Sequence, residues 1–164
     1  MNQSSVNVFV YGVPVGQPRP RARRAGNRII MYDPKTAHEW RETVAKVAGA
    51  AITEPLEGSL EVTLVFYFPR PKSHYGTGKN SEVLKPSAPV HHMQKPDVDN
   101  VCKSTLDAMN AVVYQDDKQV VRLRAQKEWA AQPDQAGLAL RVAPLELQEE
   151  GSDQSHAEQC ASES

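Results

Sequence analysis

Four carboxylates lie close together along one short stretch of this chain. Asp97 and Asp99 stand two apart in "KPDVDN", directly after Pro96, and Asp116-Asp117 begins nineteen residues after Asp97. One aspartate at a helix start needs no further role. It caps free N–H groups and complements the helix dipole, for about 0.5–2 kcal/mol. Two in a D-x-D pattern are less completely explained. Residues i and i+2 do not share a helix face, yet at a half-extended N-terminus both side chains can point into one space. Three or four converging carboxylates with no cation would raise one another's pKa values and destabilise the fold. A hard divalent cation removes that conflict, and Mg²⁺ takes carboxylates and waters in near-octahedral geometry.

Other metal readings fit less well. "DVDNVCKSTLDA" opens like a calcium-binding EF-hand loop, but position five is Val101, position six is Cys102 rather than Gly, and position twelve is Ala108 rather than Glu. A zinc site from His74, His91, His92 and Cys102 lacks a standard ligand spacing, and adjacent loop histidines are usually only exposed. Lys103 stands four residues after Asp99 and four before Asp107. It could form a surface ion-pair ladder worth about 0.2–0.5 kcal/mol per pair, or stand one turn above a metal-binding carboxylate, within reach of a phosphate. The Asp116-Asp117 pair also reads as a routine solvated turn.

These residues need elements to position them. "VNVFVYGV" (6–13) is rich in β-branched and aromatic residues and reads as a strand. "PVGQPRPRARRAGN" reads as a loop, and "RIIMY" (28–32) as a short strand. Asp33-Pro34 has the form of an N-cap followed by a first-turn proline, opening an amphipathic helix over 34–52. "SLEVTLVFYF" (59–68) alternates Leu60, Val62, Leu64, Phe66 and Phe68 on one face, the pattern of a half-buried strand. Residues 69–96 hold five prolines and little periodicity, so a long, mobile loop is expected there. A second helix follows at 98–111, with an apolar stripe from Val98 to Val112. "VVYQDDKQVVRLRAQ" reads as strand, turn, strand, and 137–147 as a final strand.

The expected order is β-β-α-β-α-β-β-β: an α/β (α+β) domain over 1–147, with one mixed sheet and two main helices packed on it. The tail, 148–164, is small, polar and acidic and is expected to be disordered. Helix 98–111 covers about 20 Å, and the four residues that follow reach about 13 Å when extended. The acidic turn can therefore meet the helix start, but the spacing does not force it to.

Bulk properties exclude several classes. At 164 residues, 40% hydrophobic and 24% charged, the chain suits one soluble domain. No apolar run reaches the roughly 20 residues that span a bilayer, and the N-terminus does not read as a signal peptide. Two cysteines, Cys102 and Cys160, do not make a disulfide framework, so the default setting is a reducing cytoplasm. The net charge of −1 hides an asymmetry. The last twenty residues carry six acids and no Lys or Arg, leaving residues 1–144 with 19 bases, 14 acids and a net of +5. A mildly basic body is compatible with a polyanionic partner.

"KPDVDNVCKSTLDAMNAVVYQDDKQV" (95–120) resembles the signature segment of the RusA-type Holliday junction resolvases, endodeoxyribonucleases that are often phage- or prophage-borne. The shared pattern is D-x-D-N, a lysine on the helix, and a "DD-x-Q-V" turn entering a strand: here Asp97, Asp99, Asn100, Lys103, Asp116, Asp117, Gln119 and Val120. "GQPRPRARR" with "MYDPKTAHEWRETVAKVA" also resembles the start of many members. The resemblance implies a compact mixed α/β fold, a homodimer, and Mg²⁺-dependent cleavage of four-way DNA junctions in recombination and repair, with Mn²⁺ able to substitute. It implies catalytic, metal-binding acids at Asp97, Asp99 and Asp117, with Asp117 favoured over Asp116, and a catalytic lysine at Lys103. Asn100 and Asp116 are candidate supporting residues.

Grip on DNA is expected from Arg19, Arg21, Arg23, Arg24 and Arg28, the densest basic run, joined by Arg70 and Lys72. Such contacts bind phosphate, position the protein and make affinity steeply salt-dependent. Trp40 and Trp129 read as core or interface residues. Two rival functions remain in view: a D-x-D nucleotide-sugar transferase using Mn²⁺, for which the chain is short, and a junction-binding module of the same fold without cleavage.

Overall fold

In the computed structural model of the protein, residues 5–17, 21–25, 28–32 and 35–145 are described, the two segments between 21 and 32 by their backbone alone. The core is built around β4 (Leu60–Phe68). Its alternating side chains Leu60, Val62, Leu64, Phe66 and Phe68 are buried, as the sequence pattern requires of a strand covered on one face. β6 (Gly137–Pro144) pairs antiparallel with β4 and adds Leu138, Leu140 and Val142 to the same layer. β1 (Val6–Tyr11) pairs antiparallel with β6 and adds Val6 and Val10. β5 (Val120–Trp129) pairs in parallel with β4, completing a mixed four-stranded sheet of order β1-β6-β4-β5.

Two helices complete the core. α1 (Lys35–Gly49) buries Ala37, Trp40, Val44 and Ala48, and α2 (Val98–Met109) buries Val101, Cys102, Thr105, Ala108 and Met109. Each set recurs at three and four residues, the spacing that puts side chains on one helical stripe. The result is the expected single α+β domain with two main helices on a mixed sheet.

Two elements differ from the sequence reading. Arg21–Ala25, expected as loop, forms β2 and pairs antiparallel with β3 (Arg28–Tyr32) in a separate two-stranded sheet. The main-chain ladder between the two segments overrides the weak strand propensity of an Arg-rich segment. Residues 112–115, expected as strand, instead form a turn after α2. Ala111 there has φ 60°, the left-handed region, and Val113 N–H donates to Met109 O at 2.8 Å. The proposed cap at Asp33-Pro34 and the tail 148–164 lie outside the described residues.

The connection between β4 and β5 sets the geometry of everything that follows. Parallel neighbours need a crossover, and here it comprises residues 69–96 and α2. α2 therefore begins at the C-terminal end of both strands and ends at their N-terminal end. Residues 69–96 are fastened along their length. Gly76 N–H donates to Val83 O, Lys85 Nζ to Ser73 O, and an Arg70 guanidinium N–H to Pro89 O.

Tyr114 closes the lower end of the crossover. It is fully buried, and its hydroxyl donates to Leu106 O at 3.0 Å. Burial raises its pKa above the usual tyrosine range, and the charges of Asp117 and Asp107 add to the effect. Because the folded state holds the phenol neutral, its contribution to stability is intact below about pH 10, the unfolded value. Above that pH the unfolded chain ionises while the folded one resists, so stability falls. Thermal unfolding between pH 8 and 11 should show this fall. Tyr114→Phe should be about 1 kcal/mol less stable at neutral pH through loss of one hydrogen bond, and its alkaline decline should be shallower.

Candidate active site

The acidic pair sits where β5 ends and α2 begins. Asp97 is the N-cap residue of α2, with extended backbone, and Asp99 lies in its first turn. The capping explanation fails for Asp97: its side chain makes no capping hydrogen bond, although its carbonyl accepts from Val101 N–H at 3.1 Å. Both carboxylates are exposed, and neither forms an ion pair among the described residues. Lys103, one turn on, is exposed and likewise unpaired, so the i,i+4 ladder does not form. Two hard anions thus open α2 and a cation follows one turn on, none of them in an ion pair among the described residues.

A cleft of about 500 Å³ opens beside the pair, lined by Pro14, Val15, Gly16, Gln17, Lys95, Pro96, Asp97 and Asn100. The 14–17 segment lies tight against α2. Gln17 N–H donates to Asn100 O at 3.2 Å. A Cβ on Gly16 would approach Asn100 Nδ2 to 2.9 Å and Pro96 Cβ to 3.0 Å, so a larger residue there would require the Asn100 side chain and Pro96 to give way. Asn100 thus supports the site through its backbone.

The second acidic pair lies at the other end of the crossover. Asp117–Gln119 forms a 3-10 turn entering β5 at its N-terminal end. α2 itself spans about 18 Å, and ten strand residues about 33 Å. Within one protomer the turn and the helix start are therefore held apart. Among the described residues no three His, Cys, Asp or Glu side chains gather closely enough to hold an ion.

The turn distinguishes its two aspartates. Asp116 Oδ1 accepts from Lys118 N–H at 3.0 Å, and Lys118 Nζ lies 3.3 Å from Asp116 Oδ2. These bonds from Lys118 hold the Asp116 carboxyl below its usual pKa range. Asp116 is thus committed to the turn, whereas Asp117 is exposed and makes no ion pair among the described residues. Gln119 pins the turn to the sheet. Its Nε2 donates to Leu56 O at 3.0 Å and Gly58 O at 3.1 Å, and its Oε1 accepts from Gln115 N–H and Asp116 N–H.

The basic candidates divide. Arg19 and the side chains of Arg21, Arg23, Arg24 and Arg28 lie outside the described residues, although β2 and β3 carry the last four. Lys72 is exposed. Arg70 is engaged within the fold: besides its bond to Pro89 O, its guanidinium sits 5.1 Å from the centre of the Trp129 ring. Arg122 and Arg124 both pair with Glu61. The adjacent histidines His91 and His92, both expected to be exposed, separate in the same way. His91 is exposed, whereas His74 and His92 are buried around Trp129, with His92 stacked on Phe68 at 4.3 Å. Burial and the nearby Lys127 ammonium lower the His92 pKa.

Sequence reasoning missed Lys127. Its Nζ donates to Gln94 O at 2.7 Å and to Pro96 O at 2.8 Å, tying β5 to the residue just before Asp97. A signal existed: Val121, Leu123, Ala125, Lys127 and Trp129 alternate along β5, and a lone lysine interrupts an otherwise apolar face. Gln119→Met should lower unfolding stability by about 1–3 kcal/mol, because it leaves half-buried carbonyl and amide groups of the turn unpaired. Chemical denaturation checks this, with the m-value unchanged.

The chain is similar to the uncharacterized protein YqaN of Bacillus subtilis (strain 168), with 35% identity over 134 residues, covering 78% of this chain and 90% of that protein. The family model described as Endodeoxyribonuclease RusA matches residues 12–140, a span that includes β4, β5, both helices, the acidic pair and the acidic turn. The chain belongs to the RusA endodeoxyribonuclease family.

Proposed function

We propose that this protein is a Mg²⁺-dependent endonuclease that hydrolyses phosphodiester bonds at four-way DNA junctions, acting in the cytoplasm in recombination and repair. The observation that carries this reading is the uncommitted acidic pair: Asp97 and Asp99 are exposed beside an open cleft, without a capping bond or ion pair among the described residues. Such a donor set suits a hard cation that keeps several waters and takes its remaining ligands from a phosphate; Mn²⁺ would be accepted by the same oxygens. Asp97 and Asp99 would hold the ion, with Asp117 as the third acid. The chemistry a bound Mg²⁺ supplies there is Lewis-acid polarisation of a phosphate oxygen and neutralisation of developing charge.

The chain's own groups do the rest. Lys103, exposed one turn along α2, meets the scissile phosphate or the departing oxygen and stabilises its charge. Asn100 keeps the first turn seated against Gln17. Arg19, Arg21, Arg23, Arg24, Arg28 and Lys72 grip the phosphate backbone away from the cut. Asp97→Asn should bind a synthetic four-way junction with near wild-type affinity and cut it at least about a hundredfold more slowly. Gel-based cleavage with Mg²⁺ and with EDTA, using linear duplex as control, checks this. Undiminished cutting by the variant would sink the assignment.

A junction has two-fold symmetry and needs two matched cuts, which a C2 dimer supplies. We assign the dimer contact to the free edge of β5, where Val121 and Leu123 are 62% and 43% exposed. Two such edges related by a two-fold axis run antiparallel, bringing the acidic turn of one copy toward the α2 start of the other. Asp117 then completes the acidic set from across the interface. Leu123→Asp should convert the dimer to monomer in sedimentation velocity and abolish cleavage while leaving the fold intact.

A further inference from the structure

We propose that Lys127 is a positioning residue for this site: its ammonium fixes the chain that precedes the acidic pair and so sets where Asp97 and Asp99 stand. This inference rests on the nuclease reading above and adds to it a residue from β5. Three observations support it.

First, the contact is specific. The Lys127 ammonium reaches two carbonyl oxygens separated by one residue, Gln94 O and Pro96 O, at 2.7 and 2.8 Å. Both distances lie in the range of charge-assisted bonds. The Pro96 carbonyl belongs to the peptide that leads directly into Asp97, so its position determines where α2 begins. Second, the lysine is held in place. Lys127 lies opposite Phe66 in the parallel β4–β5 register and is half-buried. Its neighbour Trp129 packs against both buried histidines, and His92 lies two residues before Gln94. Third, the ammonium forms no ion pair with Asp97 or Asp99 among the described residues. It fixes the backbone and leaves both carboxylates available to a cation.

Without this anchor, the stretch between His92 and the first turn of α2 would rest on the Gln17–Asn100 bond and the fit of Gly16. A displacement of about 1 Å at a reacting centre can reduce rate a hundredfold. Lys127 therefore acts through the acidic pair and needs no contact with DNA.

The test compares Lys127→Met with Lys127→Arg and Lys127→Gln in the full-length protein, each checked by thermal melting. In metal-free protein, amide hydrogen exchange at Val101 and Gln17, whose N–H groups are bonded to Asp97 O and Asn100 O, should be at least about tenfold faster in Lys127→Met, with exchange in β1 and β6 unchanged. Single-turnover junction cleavage at saturating Mg²⁺ should fall by about tenfold or more. Junction affinity in EDTA should stay within about twofold, and the Mg²⁺ concentration for half-maximal rate should rise. Lys127→Arg should recover most of the rate, and Lys127→Gln, which keeps donors but not the charge, should fall between the extremes.

Wild-type exchange and cleavage in Lys127→Met would overturn the proposal. So would loss of the cooperative melt in both Lys127→Met and Lys127→Gln, which would assign the residue to global stability. If wild-type protein failed to cut any junction, the nuclease reading would fall, while the metal-free exchange measurement would still decide whether Lys127 fixes the α2 start.

Discussion

The parallel pairing of β4 with β5 is the constraint on which the site depends. Parallel neighbours cannot be joined by a tight hairpin; the chain must cross over and re-enter at the same end. Here α2 makes that crossing, so its N-terminus meets the C-terminal ends of both strands and its C-terminus their N-terminal ends. The D-x-D motif opens the helix and the acidic turn precedes β5. The crossover alone thus assigns the two motifs to opposite ends of the molecule. Had β5 run antiparallel to β4, the same residues would have been arranged quite differently.

The second theme is what the fold leaves unused. Asp116, Glu61, Arg70 and Gln119 are all engaged in ion pairs or hydrogen bonds within the protomer. Among the described residues Asp97, Asp99, Asp117 and Lys103 form no ion pair, although Lys103 stands four residues from both Asp99 and Asp107. Charges at a helix start that neither cap nor pair add little to stability, because exposed ion pairs contribute at most about 1 kcal/mol. The start of α2 is supported by contacts behind the acids: the fit of Gly16, main-chain bonds and the Lys127 ammonium held by two carbonyls.

Much of this was legible in the chain. The alternation of Leu60 through Phe68, the helical spacing of Ala37 to Ala48 and the D-x-D-N…K…DD-x-Q-V pattern are local, and local periodicity reflects which face of an element is buried. The α+β class, both helices and the family follow from them. The failures were non-local or ambiguous. Arg21–Ala25 is polar enough to read as loop, and its ladder with β3 is what makes it a strand. Residues 112–115 carry strand-like residues, but the crossover requires a turn there, and Ala111 takes a left-handed conformation to make it.

The residue types at the site, and the two adjacent aspartates on one helical turn, were determined by the sequence itself, because residues two apart cannot be far apart in any fold. Which charges remain free, which of Asp116 and Asp117 is already committed, and where the second acidic pair stands relative to the first were decided only by tertiary structure. So was the role of Lys127, thirty residues beyond Asp97 yet bonded to the carbonyl beside it. Its partners are backbone oxygens, which carry no side-chain identity and leave no mark in a sequence.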